Sequence, residues 1–196
     1  MKQNIIIGSK NPHKQQKLSA IVEEFYNPII LEDLIEVEET GESFLQIAEN
    51  KALELSNKYS EPVIATDGGA AIPALNDWNS LKTKRFHDGD DFSRIKKLLE
   101  MMKGKDARTV LWFEALAVAR QGKLLFSTQV QAMDGVIDEE FNPKNYKPGI
   151  WLCSITSYPE FGGRNYFDLN EAERLATEDN WSKLEKKFRE FMAESK

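Results

Sequence analysis

The N-terminal stretch constrains the fold more than any other part of the chain. Gln3-Asn4-Ile5-Ile6-Ile7-Gly8 is a β-branched run closed by glycine, the pattern of a buried strand. Ser9-Lys10-Asn11-Pro12-His13-Lys14 follows, and then Leu18, Ile21, Val22 and Phe25 recur at helical spacing. Proline has no N–H to lose in a first helical turn, so Pro12 suits the start of that helix. Strand, short loop and helix in this order point to an α/β protein.

The rest of the chain extends the pattern. A second helix is expected from Ser43 through Tyr59, carried by Phe44, Ile47, Ala48, Leu53 and Leu55 and closed before Pro62. Val63-Ile64-Ala65-Thr66 reads as another buried strand, terminated by Asp67-Gly68-Gly69, and Phe92 to Met102 as a third helix that stops at Gly104. Arg108 to Arg120 and Lys123 to Met133 are strand-like runs around Gln121-Gly122, a hairpin turn in which glycine supplies the positive φ. Asp138 to Phe167 reads as loop with one strand over Ile150 to Thr156, and Trp181 to Met192 as an amphipathic helix. The sum is a mixed α/β fold with a long central sheet flanked by helices. At 196 residues, 41% of them hydrophobic, the expectation is a single domain over residues 1–196.

Charge and cysteine content narrow the function. With 26 Lys+Arg against 32 Asp+Glu the net charge is −6 and the pI about 5.2, which argues against a nucleic-acid partner, since that binding neutralises many phosphates with Lys and Arg. A small anion is still permitted, because a pocket can be locally basic. The single cysteine, Cys153, excludes an internal disulfide framework and fits a reducing compartment, so a cytoplasmic location is expected. Ile5-Ile6-Ile7 is far too short for a signal core or a membrane span, so neither secretion nor membrane association is expected.

Three segments could carry chemistry. The Ser9–Lys14 loop precedes a helix N-terminus, where free N–H groups and the helix dipole favour an anion; Lys14 adds a charge and Asn11 a donor. Glu36, Glu38, Glu39 and Glu42 surround Thr40-Gly41, a pattern that in isolation reads better as a solvated turn plus a capping box from Thr40 or Ser43 than as a functional cluster. Asp67 stands at the expected carboxyl end of a buried strand, before two glycines that would let a ligand approach the backbone. Together they suit magnesium-dependent phosphate chemistry, in which carboxylates hold Mg²⁺ while it bridges phosphate oxygens.

In this order the residues resemble the inosine triphosphate pyrophosphatase family, which hydrolyses non-standard purine nucleoside triphosphates to monophosphate and pyrophosphate. The family's Thr-Gly-Asn-x-x-Lys is matched by Gly8-Ser9-Lys10-Asn11-Pro12-His13-Lys14, and its Glu-x-x-Gly and Thr-Phe by Glu38-Glu39-Thr40-Gly41 and Ser43-Phe44. Its Asn-Ala-x-x-Lys-Ala is matched at Ala48 and Lys51-Ala52, and its Asp-Asp-Ser-Gly-Leu by Thr66-Asp67-Gly68-Gly69-Ala70. Ala74-Leu75, Arg85-Phe86 and Gly135-Val136-Ile137 continue the series to about residue 137. The resemblance implies two lobes with a cleft between them, a small-molecule nucleotide substrate, Mg²⁺ as cofactor and a homodimer. It makes Asp67 the general base and, with Glu38, a magnesium ligand. It places Ser9, Asn11, Lys14, Lys51, Gly68, Arg85, Trp151 and Arg174 at the substrate.

The chain departs from this pattern in places. Thr66 and Gly68 replace the first Asp and the Ser of Asp-Asp-Ser, removing one carboxylate and one hydroxyl. Lys147-Pro148-Gly149-Ile150-Trp151-Leu152 stands near the family's Gly-Phe-Gly-Tyr-Asp-Pro, and Glu178-Asp179-Asn180 near its Ser-His-Arg. These changes leave two alternatives open: a nucleotide-binding protein without turnover, and an interaction protein on the same fold. His13 and His87 read as exposed turn residues, and Cys153 as a small core residue. Trp151, Tyr158, Phe161, Tyr166 and Phe167 suit base stacking and ordinary packing equally.

Overall fold

The structure is a computed structural model and describes residues 2–194; the side chains of Lys84 and Arg85 lie outside the described residues. The described chain forms two compact units, residues 2–68, 113–130 and 180–194 making the first and residues 69–112 and 131–179 the second. Its strands belong to one mixed sheet. No helix among the described residues is long and apolar enough to cross a membrane.

In the first unit, β1 (Gln3–Ile7) pairs in parallel with β2 (Tyr26–Ile29) and with β3 (Val63–Ala71), whose last residues pass into the second unit. β4 (Thr109–Arg120) follows β3 in the sheet, and β5 (Lys123–Gln131) pairs with β4 through the expected two-residue turn. Gln121 and Gly122 both have positive φ, 50° and 70°, as a tight hairpin requires. Three helices complete the unit: α1 (Pro12–Val22), α2 (Phe44–Ser56) and the C-terminal helix (Asn180–Glu194). The apolar stripe of α1, Leu18, Ile21 and Val22, meets Ile5, Ile7 and Ile64 from the strands and Trp181, Leu184 and Phe188 from the C-terminal helix. The helical readings at both ends of the chain thus describe two faces of one core.

β2 was not expected. It is four residues long and contains Pro28, which cannot donate to a ladder, but β2 is the terminal strand of the sheet, where proline is tolerated.

In the second unit, β4 pairs antiparallel with β6 (Gly135–Ile137), β6 with β7 (Thr156–Tyr158), and β7 with β8 (Arg164–Asn165). α3 (Asp91–Met102), capped by Asp90, buries Ile95, Leu98 and Met102 against Val110, Ile137, Trp151 and Ile155. The strand expected over Ile150–Thr156 is instead a 3-10 helix, Trp151–Ile155, ahead of β7. Its apolar residues pack on successive turns rather than on alternating faces, a distinction that a five-residue apolar run does not encode. Between that stretch and the last helix, where no element was expected, lies α4 (Glu171–Thr177), whose capping box joins Asn170 and Glu173. The C-terminal helix is therefore α5.

Candidate functional site

The loop after β1 is shaped by its own side chains. Asn11 is the N-cap of α1: its Oδ1 accepts from the backbone N–H groups of His13 (2.9 Å) and, more weakly, Lys14 (3.4 Å). Ser9 Oγ accepts from the Asn11 N–H at 3.2 Å, and Gln15 Nε2 donates to the Ser9 carbonyl at 2.9 Å. The first turn of α1 is thereby held in place and directs Lys14 inward, where its Nζ lies 3.0 Å from Glu114 Oε1 on β4.

Glu114 escaped the sequence reading. Its side chain is only 9% exposed, against 22% for Lys14. The same Oε1 receives the Thr66 hydroxyl, which also lies 2.6 Å from the Ala115 carbonyl and has one proton to share between the two. A signal for it was present. Glu114 is the lone charge between Leu111 and Ala119, and acidic residues are almost never buried in such a run unless paired.

β3 does not end at Thr66, as expected, but runs on through Asp67, Gly68 and Gly69 to Ala71. Gly68 is required by packing rather than by a turn: a Cβ there would collide with Glu114 Oε2 and stand 2.6 Å from the Phe113 carbonyl. The space attributed to an approaching ligand is filled by the Glu114 carboxylate.

Asp67 is half-buried, and burial is the main reason its pKa rises from 3.8 to about 6. The ammonium groups of Lys14 and Lys51 oppose that rise, while Glu39 and Glu114 add to it. For Lys14, burial works against the charged form, but the charge and hydrogen bond of Glu114, aided by Asp67 and Glu39, outweigh it, and the pKa is raised. Lys51 on α2 pairs with Glu39 at 3.2 Å. Of the acidic segment, then, Glu39 is tied to this cluster, while Glu38, the residue expected to ligate metal, is exposed.

The remaining expected residues lie in the second unit. Trp151 is 3% exposed and stacks on Phe86 with ring centroids 6.0 Å apart, as a core side chain does. Arg174 donates from Nη1 to the Leu169 carbonyl at 2.6 Å. Arg85 belongs to a 3-10 turn, and its side chain is outside the described residues.

Among the described residues no group of three or more His, Cys, Asp or Glu side chains could hold a metal unaided. The carboxylates whose charges act on Asp67 are those of Glu39 and Glu114. Hard oxygen donors in small number fit Mg²⁺, which is commonly held by one or two carboxylates and completes its shell with substrate phosphates and water.

The class so defined is a mixed α/β protein in which the charges of two lysines, one of them in the first turn of α1, act on a half-buried carboxylate, a setting for phosphate chemistry. Residues 5–147 match the model of the Ham1 family, and the chain belongs to that family. The dITP/XTP pyrophosphatase of Listeria monocytogenes serotype 4b is 30% identical over 169 residues, 81% of this chain and 80% of that one. The dITP/XTP pyrophosphatase of Synechocystis is 30% identical over 157 residues, 76% and 78% of the two chains. The match to the dITP/XTP pyrophosphatase of Aquifex aeolicus is shorter, 28% over 116 residues, covering 53% of this chain and 57% of that one. A HAM1 protein from Coxiella burnetii shares the fold with a TM-score of 0.81 over 96% of this chain and 99% of that one, at 21% identity. The sequence resemblance to inosine triphosphate pyrophosphatases and the expected fold class are thereby borne out.

Proposed function

We propose that the chain is a nucleoside triphosphate pyrophosphatase that hydrolyses a non-standard purine nucleoside triphosphate to the monophosphate and pyrophosphate with magnesium. The observation that carries this reading is the half-buried Asp67 with Lys14 and Lys51 acting on it and a pKa near neutrality. The relatives named dITP/XTP pyrophosphatase support the choice of substrate class.

In this mechanism Lys14, Lys51 and the N-terminal turn of α1 bind the triphosphate, with Ser9 and Asn11 keeping that turn in shape. Asp67 holds the attacking water and accepts its proton, and a pKa near 6 matches such a base to neutral pH. The water oxygen bonds to the α-phosphorus as the bond to the bridging oxygen breaks, so pyrophosphate leaves with that electron pair. Magnesium, held by Asp67 with Glu38 or a nearer carboxylate, would neutralise charge on the phosphate oxygens. Arg85, Arg174 and Trp151 remain assigned to the substrate by resemblance alone. The same resemblance supports a homodimer, and the lone cysteine a cytoplasmic enzyme.

The test is pyrophosphate release from a panel of nucleoside triphosphates with Mg²⁺, using wild type and Asp67→Asn. Release from inosine or xanthosine triphosphates that is lost in Asp67→Asn supports the enzyme. Binding by calorimetry without release from any nucleotide would make the chain a nucleotide-binding protein instead.

A further inference from the structure

A lysine in the first turn of a helix ordinarily carries its ammonium into solvent on a long flexible stem, and a ligand that captures it must first order that stem. Lys14 is ordered already. One of the three N–H donors of its ammonium goes to Glu114 Oε1 at 3.0 Å, and the other two make no hydrogen bond among the described residues. The side chain stays partly open to solvent.

Glu114 is itself held from more than one side. Its Oε1 also receives the Thr66 hydroxyl, and Thr66 Oγ1 lies 2.6 Å from the Ala115 carbonyl of β4. Its Oε2 occupies the space that a side chain at position 68 would fill. β3 and β4 are neighbours in the sheet, so the carboxylate that meets Lys14 is fixed by adjacent strands and not by a loop.

Among the described residues Glu114 is the only charged residue that is buried. Well-packed apolar residues can often replace a buried ion pair with no loss of stability, so stability alone does not account for this one. What the pair does secure is the place and the charge of an ammonium in the first turn of α1. Burial by itself would favour the neutral amine, and Glu114, helped by Asp67 and Glu39, reverses that preference.

We propose that Glu114 is a positioning residue for substrate binding: it orders the Lys14 ammonium before the triphosphate arrives and leaves two N–H donors for the phosphate oxygens. This rests on the pyrophosphatase reading above, in which Lys14 binds the triphosphate. Glu114 acts only through Lys14, so its effect belongs in substrate affinity and not in the chemical step.

The experiment measures the Kd of α,β-methylene inosine triphosphate by calorimetry, with kcat and KM for pyrophosphate release from inosine triphosphate. Glu114→Leu keeps the bulk but offers Lys14 no acceptor; it should weaken analogue binding and raise KM about tenfold, with kcat changed by no more than about threefold. Glu114→Gln keeps an amide oxygen for Lys14 and Thr66 and should bind within about threefold of wild type. Adding Glu114→Leu to Lys14→Met should weaken binding no further, because the residue it acts through is already gone. A Glu114→Leu protein that melts cooperatively and binds the analogue as wild type does would overturn the proposal. So would an equal loss from Glu114→Leu with and without Lys14, as a merely structural residue would give. If Glu114→Leu does not fold, Lys14→Met and Lys14→Met/Glu114→Leu decide: equal affinities support the proposal, and a further loss of more than about threefold in the double variant counts against it. Analogue binding by wild type without pyrophosphate release from any nucleotide would sink the pyrophosphatase reading alone, since the affinities still judge Glu114.

Discussion

Replacing Asp67 with Asn should remove activity and at the same time stabilise the nucleotide-free, metal-free protein at neutral pH. Burial raises the Asp67 pKa from 3.8 to about 6, so the folded state holds the proton more tightly than the unfolded chain does. A raised carboxyl contributes its stability fully below the unfolded pKa, near pH 4, and loses it as pH climbs through the folded value, near pH 6. At pH 7.5 the folded protein therefore carries an unfavourable ionised Asp67. About two units at 1.36 kcal/mol each set a ceiling of about 3 kcal/mol. Asp67 is only half-buried, and solvent screening reduces this to about 1.5 kcal/mol. Asn has nearly the same shape and no charge, so Asp67→Asn should recover that amount. In a chain of 196 residues this is a rise in Tm of about 3–6 °C. The assay is thermal unfolding of both proteins in EDTA at pH 4.0, 5.5 and 7.5, with pyrophosphate release measured in parallel. The Tm gap should open between pH 4 and pH 7.5, and the rate should fall by about 10²–10⁴-fold, the range that general-base catalysis supplies. A variant no more stable than wild type at pH 7.5, or a gap that does not change with pH, would show that the Asp67 charge is not strained in the fold.

Lys14→Met leaves Glu114 buried without its cation and should cost about 3 kcal/mol in urea unfolding, most of it regained in Lys14→Met/Glu114→Leu because no charge is then left unpaired. Gly68→Ala drives a methyl group into Glu114 Oε2 and the Phe113 carbonyl, so Tm should fall by an amount worth about 1–3 kcal/mol. Adding Glu114→Ala should relieve only the part owed to Oε2, because the contact with the Phe113 carbonyl at 2.6 Å stays. The Cys153 thiol is pushed up to about 12, chiefly by burial and then by the Glu178 charge. Its alkylation by iodoacetamide at pH 8, followed by mass spectrometry, should be roughly a thousand-fold slower in the folded protein than in urea, since the thiolate is the reactive form.

What could be read from the sequence follows from how local each feature is. The first strand, α1, α2, α3, the β4–β5 hairpin and α5 each carry their own periodicity or turn residues, and each is found within a few residues of its expected place. β2 carries no such mark, because Tyr26–Ile29 is a strand only through its register with Gln3–Ile6. Asn11, Lys14 and Asp67 were legible because a loop between a strand and a helix, and a carboxylate before glycines, are local patterns. Glu114 was not, since its meeting with Lys14 spans 100 residues of sequence and depends on which strand lies beside β3. Position by position, Thr66 and Gly68 look like two losses from a catalytic strand. In the fold they are the hydroxyl that grips Glu114 and the gap its carboxylate occupies, so the three residues are constrained as a set. The charge that appeared to be missing from the strand end at 66 stands on the neighbouring strand, and only strand pairing brings the two positions together.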